Sequence, residues 1–230
     1  MTATTDLRAT AAEAAERLAD GPAGDVIAWA AAAFPGRLAV AASMQDGVLP
    51  HLASRFAPDA DVLFLDTGYH FAETLQTRVE VAERYRLRVL DVRPVHTVTE
   101  QDAQYGARLY DRDPNLCCAL RKTAPLDAAL GRYDAWINGV RRVDAPTRAN
   151  TPVVDYDEKR DMVKISPLAA WSDEDLENYI FAHEVIVNPL LRQGYPSIGC
   201  APCTRAVAPG ADPRSGRWAA FDKTECGIHL

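Results

Sequence analysis

A strand–loop–helix pattern occupies residues 37–56, which read RLAVAASMQDGVLPHLASRF. The apolar run 37–42 has the length and composition of a buried strand. The polar stretch 43–47 predicts a loop, and the apolar spacing over 48–56 predicts a helix. A short apolar strand that leads through a loop into a helix is half of a βαβ unit, so this stretch indicates an α/β fold.

The same pattern continues along the chain. Further strands are predicted at 61–65, 87–92 and 135–138, and a helix is predicted over about 71–85 between the first two. Strands that alternate with helices of this length form parallel sheets. We therefore expect a mostly parallel, twisted sheet with helices on both faces. Ligands of such sheets bind beyond the carboxyl ends of the strands. The loops expected there are 43–47, 66–68 and 139–148.

The two ends of the chain differ from this middle part. Residues 5–34 carry two alanine-rich helical patterns, which Gly21-Pro22 and Gly24 are expected to interrupt. After a hairpin predicted over 153–165 and a further helix, the pattern dissolves from about residue 188 into Pro, Gly and Arg, which predicts an irregular tail. We divide the chain into N-terminal helices (1–35), an α/β domain (36–195) and a C-terminal segment of the same domain (196–230).

The composition is that of an ordinary soluble globular protein, with 48% hydrophobic and 25% charged residues among 230. We find no run of about 18 uncharged apolar residues and no basic segment leading into an apolar one at the N-terminus, so we expect neither a membrane span nor a secretory signal. The net charge of −7 disfavours broad nucleic-acid binding, which needs a cationic face. These features predict a cytoplasmic protein without membrane or nucleic-acid partners, and they leave a homo-oligomer open.

The odd number of cysteines is the most informative count. The five are Cys117, Cys118, Cys200, Cys203 and Cys226. In a chain of this kind, spaced cysteines indicate metal binding or catalysis more often than a disulfide framework. The motif Cys200-Ala-Pro-Cys203 could be a redox dithiol, but such a motif normally opens a helix early in a βαβ unit. A half-site for a metal is the better interpretation.

Cys117 and Cys118 are the natural partners of that half-site. Adjacent cysteines form a strained, rare disulfide, and they fit two corners of one zinc tetrahedron poorly. Separate iron atoms of a four-iron cluster accept adjacent thiolates more easily. The structural alternative is a pair of small buried hydrophobic residues. The spacing alone leaves zinc and iron–sulfur open.

Cys226 is left over, in the terminal sequence KTECGIHL (223–230). The nearby cations Lys223 and His229 are expected to stabilise its thiolate and to lower its pKa. A nucleophile on a glycine-containing tail can enter a pocket, react and swing out to meet a second partner. The alternative is an inert thiol at a disordered end.

Cations close to these cysteines form a further group of candidate site residues. Lys122 follows Cys118 by one helical turn, and Arg214 and Arg217 lie in the tail. Guanidinium groups suit phosphate and sulfate oxygens, although a single arginine is usually a solvated surface charge. Their position beside cysteines indicates a local anion pocket in an acidic protein.

Several motifs follow one another in a fixed order from the first strand to the C-terminus. They are Leu65-Asp-Thr-Gly68, Cys117-Cys118 with Leu120-Arg-Lys122, Gly139-Val-Arg-Arg142 with Thr147-Arg148, Gly194-Tyr-Pro-Ser-Ile-Gly-Cys-Ala-Pro-Cys-Thr204, Gly216-Arg-Trp218 and Glu225-Cys-Gly-Ile-His229. As an ordered set they resemble the assimilatory adenylyl-sulfate (APS) reductases of the phosphoadenylyl-sulfate (PAPS) reductase family.

The resemblance implies a nucleotide-binding fold shared with the PP-loop ATP pyrophosphatases, which belong to the adenine nucleotide alpha hydrolase-like group. The first loop reads Ser43-Met-Gln-Asp-Gly47 instead of a Ser-Gly-Gly-x-Asp-Ser sequence, consistent with an enzyme that does not split ATP. The resemblance also implies a [4Fe–4S] cluster as cofactor. Its implied ligands are Cys117, Cys118, Cys200 and Cys203.

The implied reaction is the reduction of adenylyl sulfate to sulfite and AMP by thioredoxin or a glutaredoxin-like reductant, in sulfate assimilation and cysteine biosynthesis. The Cys226 thiolate attacks the sulfate sulfur, AMP leaves, and an S-sulfocysteine remains on the enzyme. The residues expected at the sulfate and phosphate oxygens are Lys122, Arg214, Arg217 and His229. The residues assigned to the adenosine side are Ser43, Asp66, Gly68 and Arg142.

Other functions stay open at this point. A PAPS reductase is the nearest, but members restricted to that substrate generally lack the four cluster cysteines. An adenylating PP-loop sulfurtransferase would consume ATP and bind tRNA through a basic face, which the acidic balance disfavours. An iron–sulfur sensor would normally carry a DNA-binding or partner module, and the sequence shows none.

Overall fold

The computed structural model describes residues 6–228 and contains one six-stranded sheet. The strands are β1 Leu38–Ala41, β2 Asp61–Leu65, β3 Val89–Val92, β4 Ala135–Ile137, β5 Val154–Asp157 and β6 Met162–Ile165. Their order across the sheet is β3-β2-β1-β4-β6-β5, and all neighbours are parallel except the β5–β6 hairpin. The mostly parallel sheet expected from the apolar runs is confirmed.

Helices precede, connect and follow these strands. They are α1 Leu7–Leu18, α2 Ala23–Ala33, α3 Val48–Phe56, α4 Ala72–Tyr85, α5 Val98–Tyr105, α6 Leu109–Arg112, α7 Pro114–Cys118, α8 Ala124–Leu130 and α9 Asp173–Ala182. A π-helical turn, Ala119–Thr123, joins α7 to α8 into one continuous helix. Among the described residues, no helix has both the length and the hydrophobicity needed to cross a bilayer.

The side chains of the strands alternate between two cores, one on each face of the sheet. In β1, Leu38 and Val40 belong to the core shared with α1, α2 and α3, whereas Ala39 faces the opposite side. There it packs with Trp136 of β4 and Leu126 of α8. Helices therefore cover both faces, as expected for strands that are apolar along their whole length.

The prediction that Gly24 interrupts the N-terminal helices is wrong. The break comes at Gly21-Pro22, with Pro22 at the N-cap, and Gly24 lies in the first turn of α2. A Cβ atom at position 24 would lie 2.6 Å from the ring carbon Cζ of Phe56. Gly24 is therefore a contact point between α2 and α3, where the missing side chain lets the two helices approach.

The carboxyl ends of the parallel strands form the edge where a site is expected. The strand order changes direction between β1 and β4, which makes this the topological switch point of the sheet. The irregular tail predicted after α9 is present, with 3₁₀ turns at Pro189–Gln193 and Ala201–Cys203. It is tied to the loop after β1, because the backbone N–H of Ile198 donates to Gln45 Oε1 at 2.9 Å.

Candidate active site

The helix that runs from α7 to α8 carries the first pair of cysteines. Asp113 caps its start by accepting a hydrogen bond from the backbone N–H of Leu116 at 2.9 Å. Cys117 and Cys118 lie at the end of α7 and are buried. Lys122 lies in the π turn that follows. Single π turns inside α-helices occur frequently at functional sites.

All four cysteines outside the terminal motif line one cavity. Its wall also contains Tyr69, Lys122 and Trp218. The second pair reaches it through the 3₁₀ turn Ala201–Cys203, whose first backbone N–H donates to the carbonyl of Tyr69 at 2.7 Å. The hydroxyl of Thr67 lies 3.3 Å from Cys200 Sγ. The loop after β2 therefore aligns the second pair against the first.

Burial and mutual repulsion act on these thiols. Burial, with the charges of Cys118 and Cys200 added, raises the pKa of Cys117 to about 11. Burial and the charge of Cys200 raise the pKa of Cys203 to about 12, and burial also raises the pKa of Cys118. The four thiols therefore fit a cofactor that carries positive charge, because such a charge would keep them in the thiolate form.

These thiols do not form a compact shell for one ion. Within residues 6–228, no group of three or more His, Cys, Asp or Glu side chains is arranged to hold a metal ion. A mononuclear zinc site needs such a tetrahedral group, whereas a polynuclear cluster binds each thiolate through a separate iron. The choice between zinc and an iron–sulfur cluster, which the spacing left open, stays a prediction.

Lys122 is a buried cation of this wall, with 9% of its surface exposed. Burial acts to lower the pKa of Lys122, but the negative charges of Cys200 and Cys226 outweigh it, and the net shift is upward. In the described part of the chain, no carboxylate forms an ion pair with it. The ammonium group is therefore available to an anion.

Arg217 is a second cation without a carboxylate partner among the described residues. Its Nη1 donates to Ser197 Oγ at 3.1 Å, while its buried Nε has no hydrogen-bond partner. Burial and the neighbouring charge of Arg214 lower the pKa of Arg217. A Cβ atom on Gly199 would lie 2.3 Å from Arg217 Nη2, so this glycine makes room for the guanidinium group. A buried, unpaired charge is costly, and an anionic ligand would compensate it.

The tail brings Cys226 to the same wall. Cys226 is half-buried and interacts electrostatically with Cys118, Lys122 and Arg217. Beside it, Gly227 has φ +83° and passes close to Thr123 of the π turn. Up to residue 228 the tail is docked on the structure, so the thiol does not extend freely into solvent as a disordered end would. His229, predicted at the sulfate oxygens, lies outside the described residues.

Arg214, the remaining predicted anion ligand, is engaged by the tail. Its Nη2 donates to the carbonyl of Thr224 at 2.7 Å and to Glu225 Oε2 at 3.3 Å. Lys223, expected to stabilise the thiolate, donates to Asn115 Oδ1 at 2.6 Å. Both cations therefore fasten the tail in this conformation.

The residues assigned to the adenosine side are dispersed around the switch point. Ser43 is exposed in the loop after β1. Asp66 pairs with Arg93 at 3.1 Å and accepts a hydrogen bond from the backbone N–H of Gly68. Arg142 Nε donates to the carbonyl of Thr151 at 2.9 Å. Their assignment to the adenosine side stays a prediction.

The structure adds residues that the sequence reasoning did not assign. Arg121 is 4% exposed and donates to the carbonyl of Thr67 and to Gln101 Oε1, which fixes the loop after β2. Arg148 binds Glu225, the residue before Cys226. Both arginines belong to the family motifs quoted above, where Arg121 precedes Lys122 and Arg148 follows Thr147. Their place in these motifs is the sequence feature that could have identified them.

Fold and site together define an α/β protein with a mostly parallel sheet, a thiol-lined cavity and a docked cysteine tail. Residues 37–206 match the phosphoadenosine phosphosulfate reductase domain. The chain belongs to the phosphoadenosine phosphosulfate reductase family, a family of oxidoreductases, and the resemblance seen in the motifs is confirmed.

Curated relatives extend this match over nearly the whole chain. The adenosine 5'-phosphosulfate reductase of Mycolicibacterium smegmatis is 54% identical over 225 residues, which cover 98% of this chain and 95% of the relative. The enzyme of the same name from Streptomyces coelicolor is 54% identical over 226 residues, covering 98% and 96%.

Solved structures confirm the fold. A phosphoadenylyl-sulfate reductase from Candida auris, solved as a phosphate complex, superposes with a TM-score of 0.73 at 26% identity and covers 89% of this chain and 99% of its own. The FMN adenylyltransferase of Candida glabrata, in complex with FAD and pyrophosphate, has a TM-score of 0.55 at 14% identity and covers 90% and 79%. The latter likeness concerns the fold alone.

Proposed function

We propose that this protein reduces adenylyl sulfate to sulfite and AMP through a covalent intermediate on Cys226. The supporting observation is that the tail brings this thiol within electrostatic range of Lys122 and Arg217, two cations that lack carboxylate partners within residues 6–228. The two relatives that are 54% identical carry the name adenosine 5'-phosphosulfate reductase. Assimilatory sulfate reduction is the corresponding pathway.

The first step transfers the sulfonate group. The Cys226 thiolate attacks the sulfate sulfur, the S–O bond to the phosphate breaks, and AMP leaves with the electron pair of that bond. The product is an S-sulfocysteine. A thiolate and a sulfate repel each other, so Lys122 and Arg217 are expected to neutralise the sulfate oxygens and the charge that develops on the phosphate.

The second step releases sulfite. A thiolate of thioredoxin or a glutaredoxin-like dithiol attacks the Cys226 sulfur, sulfite leaves, and a mixed disulfide forms. The second thiol of the reductant resolves this disulfide and restores the Cys226 thiol. The dithiol thus supplies both electrons, since sulfate sulfur is reduced to sulfite while the reductant becomes a disulfide.

We further propose that the four thiols of the cavity hold a [4Fe–4S] cluster. Their convergence on one cavity and the upward pKa shifts of three of them support this assignment. When bound, the cluster would join the two cysteine pairs, and the positive charge of its iron–sulfur core would keep the four thiols as thiolates. Because the dithiol supplies both electrons, we expect the cluster to keep one oxidation state during turnover; spectroscopic evidence of a required change would contradict this.

One experiment tests the function. Protein purified without oxygen is assayed for iron and sulfide and then incubated with ³⁵S-labelled adenylyl sulfate in the absence of reductant. We expect stoichiometric label on Cys226 that thioredoxin releases as sulfite. Label that persists in Cys226→Ser would refute the role of this thiol. A strong kinetic preference for the 3′-phosphorylated substrate would instead assign a PAPS reductase.

A further inference from the structure

The carboxylate beside the candidate nucleophile is bound in a pocket of its own. The side chain of Glu225 is 10% exposed, and Arg148 binds it with two parallel hydrogen bonds, from Nε to Oε1 at 2.7 Å and from Nη2 to Oε2 at 2.8 Å. Thr147 Oγ1 adds a third contact at 3.2 Å. A bidentate ion pair of this kind fixes orientation as well as distance.

The pocket is held in place by the segment that follows β4. Arg148 is 15% exposed, and its Nη1 also donates to Asp144 at 3.3 Å. Asp144 in turn pairs with Arg141 at 2.8 Å. Asp144 therefore supports the orientation in which Arg148 binds Glu225, and a side chain held from two directions has little rotational freedom.

We propose that Glu225, Arg148 and Thr147 form a latch that positions Cys226 for sulfonation. The latch holds the residue before Cys226, while Ile228 packs on the core formed with α8 and holds the chain beyond it. The thiol is thus held from both sides within electrostatic range of Lys122. Glu225 and Arg148 are positioning residues, since they act through Cys226. The proposal rests on the proposed function, because it assigns the latch to one step of that reaction.

The latch is expected to serve the first step and not the second. Sulfonation requires the Cys226 thiolate at the cationic wall, where adenylyl sulfate would bind. Reduction requires the S-sulfocysteine to meet an external thiol, which is easier when the tail has left the wall. A loss confined to sulfonation therefore distinguishes the latch from a merely structural ion pair.

Accessibility of the thiol is the first test, and it needs no substrate. Anaerobically purified holoenzyme is treated with iodoacetamide, and alkylation of the Cys226 peptide is followed by mass spectrometry. Loss of one charge-assisted hydrogen bond in Glu225→Gln is expected to increase the alkylation rate about tenfold. The matched control is Glu158→Gln, which removes an exposed ion pair with Arg8 far along the chain and should alkylate like wild type. Equal rates in Glu225→Gln and wild type would overturn the latch.

Single-turnover kinetics form the second test. Glu225→Gln is expected to slow S-sulfocysteine formation about tenfold, and Arg148→Met by no more than that, since Glu225→Gln also weakens the contact with Arg214. The double variant should be no slower than Glu225→Gln, because Arg148 acts through Glu225. Release of sulfite from preformed S-sulfo-enzyme by dithiothreitol should be at least as fast in Glu225→Gln as in wild type. Additive losses, or a loss confined to release, would contradict the proposal.

Folding and function are controlled separately. Melting temperatures of the variants show whether Arg148→Met has disturbed the segment after β4, and Arg148→Lys keeps the charge while losing the bidentate geometry. We expect Arg148→Lys to fall between wild type and Arg148→Met in alkylation rate. If wild-type enzyme forms no S-sulfocysteine, the proposed function fails, whereas the alkylation result still decides whether the latch exists.

Discussion

The helix of residues 114–130 and the tail of residues 214–228 present the two halves of the candidate site, and they are held in different ways. The helix carries Cys117, Cys118 and Lys122 and is anchored by Leu126 and Leu130, which are at most 2% exposed in the core on that face. The tail carries Cys226. Its first part is anchored by Trp218, which is 3% exposed and donates a backbone hydrogen bond to the carbonyl of Cys203, whereas residues 222–228 are held mainly by side-chain hydrogen bonds and ion pairs, with Ile228 as an apolar contact.

This difference has a physical consequence for catalysis. Apolar burial and continuous backbone hydrogen bonds make the helix a fixed wall. Side-chain polar contacts exchange with water at small net free energy, so residues 222–228 can detach at low cost. A fixed wall of cations and a detachable nucleophile suit a reaction in which one thiol meets two different partners in turn.

The largest effect is expected from removing the buried cation of the fixed wall. Lys122→Met should lower kcat for adenylyl sulfate reduction by about 10²–10³-fold, because the charge that opposes thiolate–sulfate repulsion is lost. Steady-state kinetics check this. Lys159→Met, which removes a half-exposed lysine paired with Asp127, serves as the matched control. Near-wild-type kcat in Lys122→Met would place the anion elsewhere.

The two tail arginines should differ from each other. Arg217→Met is expected to lower kcat/KM about 10²-fold, because its guanidinium group has no carboxylate to neutralise it in the described structure. Arg214→Met should lower kcat/KM only about tenfold, since Arg214 already forms hydrogen bonds with Thr224 and Glu225. Parallel kinetics of both variants test this order, and the reverse order would mean that Arg214 turns to the substrate when the tail opens.

Gly199→Ala should act on activity through Arg217. The new methyl group would displace the guanidinium group, which is the far end of a flexible side chain, so stability should change little. We expect a smaller loss of kcat/KM than in Arg217→Met and no further loss when both changes are combined. Kinetics and melting temperatures of the single and double variants provide the check. If the double variant loses more kcat/KM than Arg217→Met alone, Gly199 does not act through Arg217.

The tail should stay closed in mild acid. Burial acts to raise the pKa of Glu225, but the hydrogen bonds and charge of Arg148, with Arg214, outweigh it and lower the pKa. A lowered folded-state pKa means that the latch contributes at pH above the ordinary glutamate value and is lost only as pH falls below it. Hydrogen exchange of residues 220–228, corrected for intrinsic rates, should therefore show the same protection at pH 7 and pH 5. Loss of protection at pH 5 in wild type, or full protection in Glu225→Gln, would argue against the ion pair as the fastening.

The smallest effect on activity is expected at the far side of the sheet. Gly24→Ala places a methyl group against the Phe56 ring and should lower the free energy of unfolding by about 1–3 kcal/mol without changing kcat. Chemical denaturation measures this, and Gly24→Ala combined with Phe56→Leu should recover part of the loss. A change in kcat would show that the N-terminal helices are coupled to the site.

Much of the fold was readable from local pattern. The apolar runs predicted the central strands, because a strand buried on both faces is apolar along nearly its whole length, as β1 is and as β2 is after Asp61. Gly24 was misjudged, because its role depends on Phe56 of another helix and not on local propensity. The cysteine count separated four thiols from one, and the structure places those four around one cavity.

By itself, the sequence determined the α/β class, the family motifs and the identity of the thiols, since these follow from residue type and near-neighbour spacing. Only the tertiary structure decided which cations stay unpaired and which fasten the tail. Arg148 and Glu225 are 77 residues apart in the chain, and their pairing depends on where the folded backbone brings them. The same is true of Lys122 and Cys226. Electrostatic interactions depend on distance in space, and the separation of two residues along the chain says little about that distance.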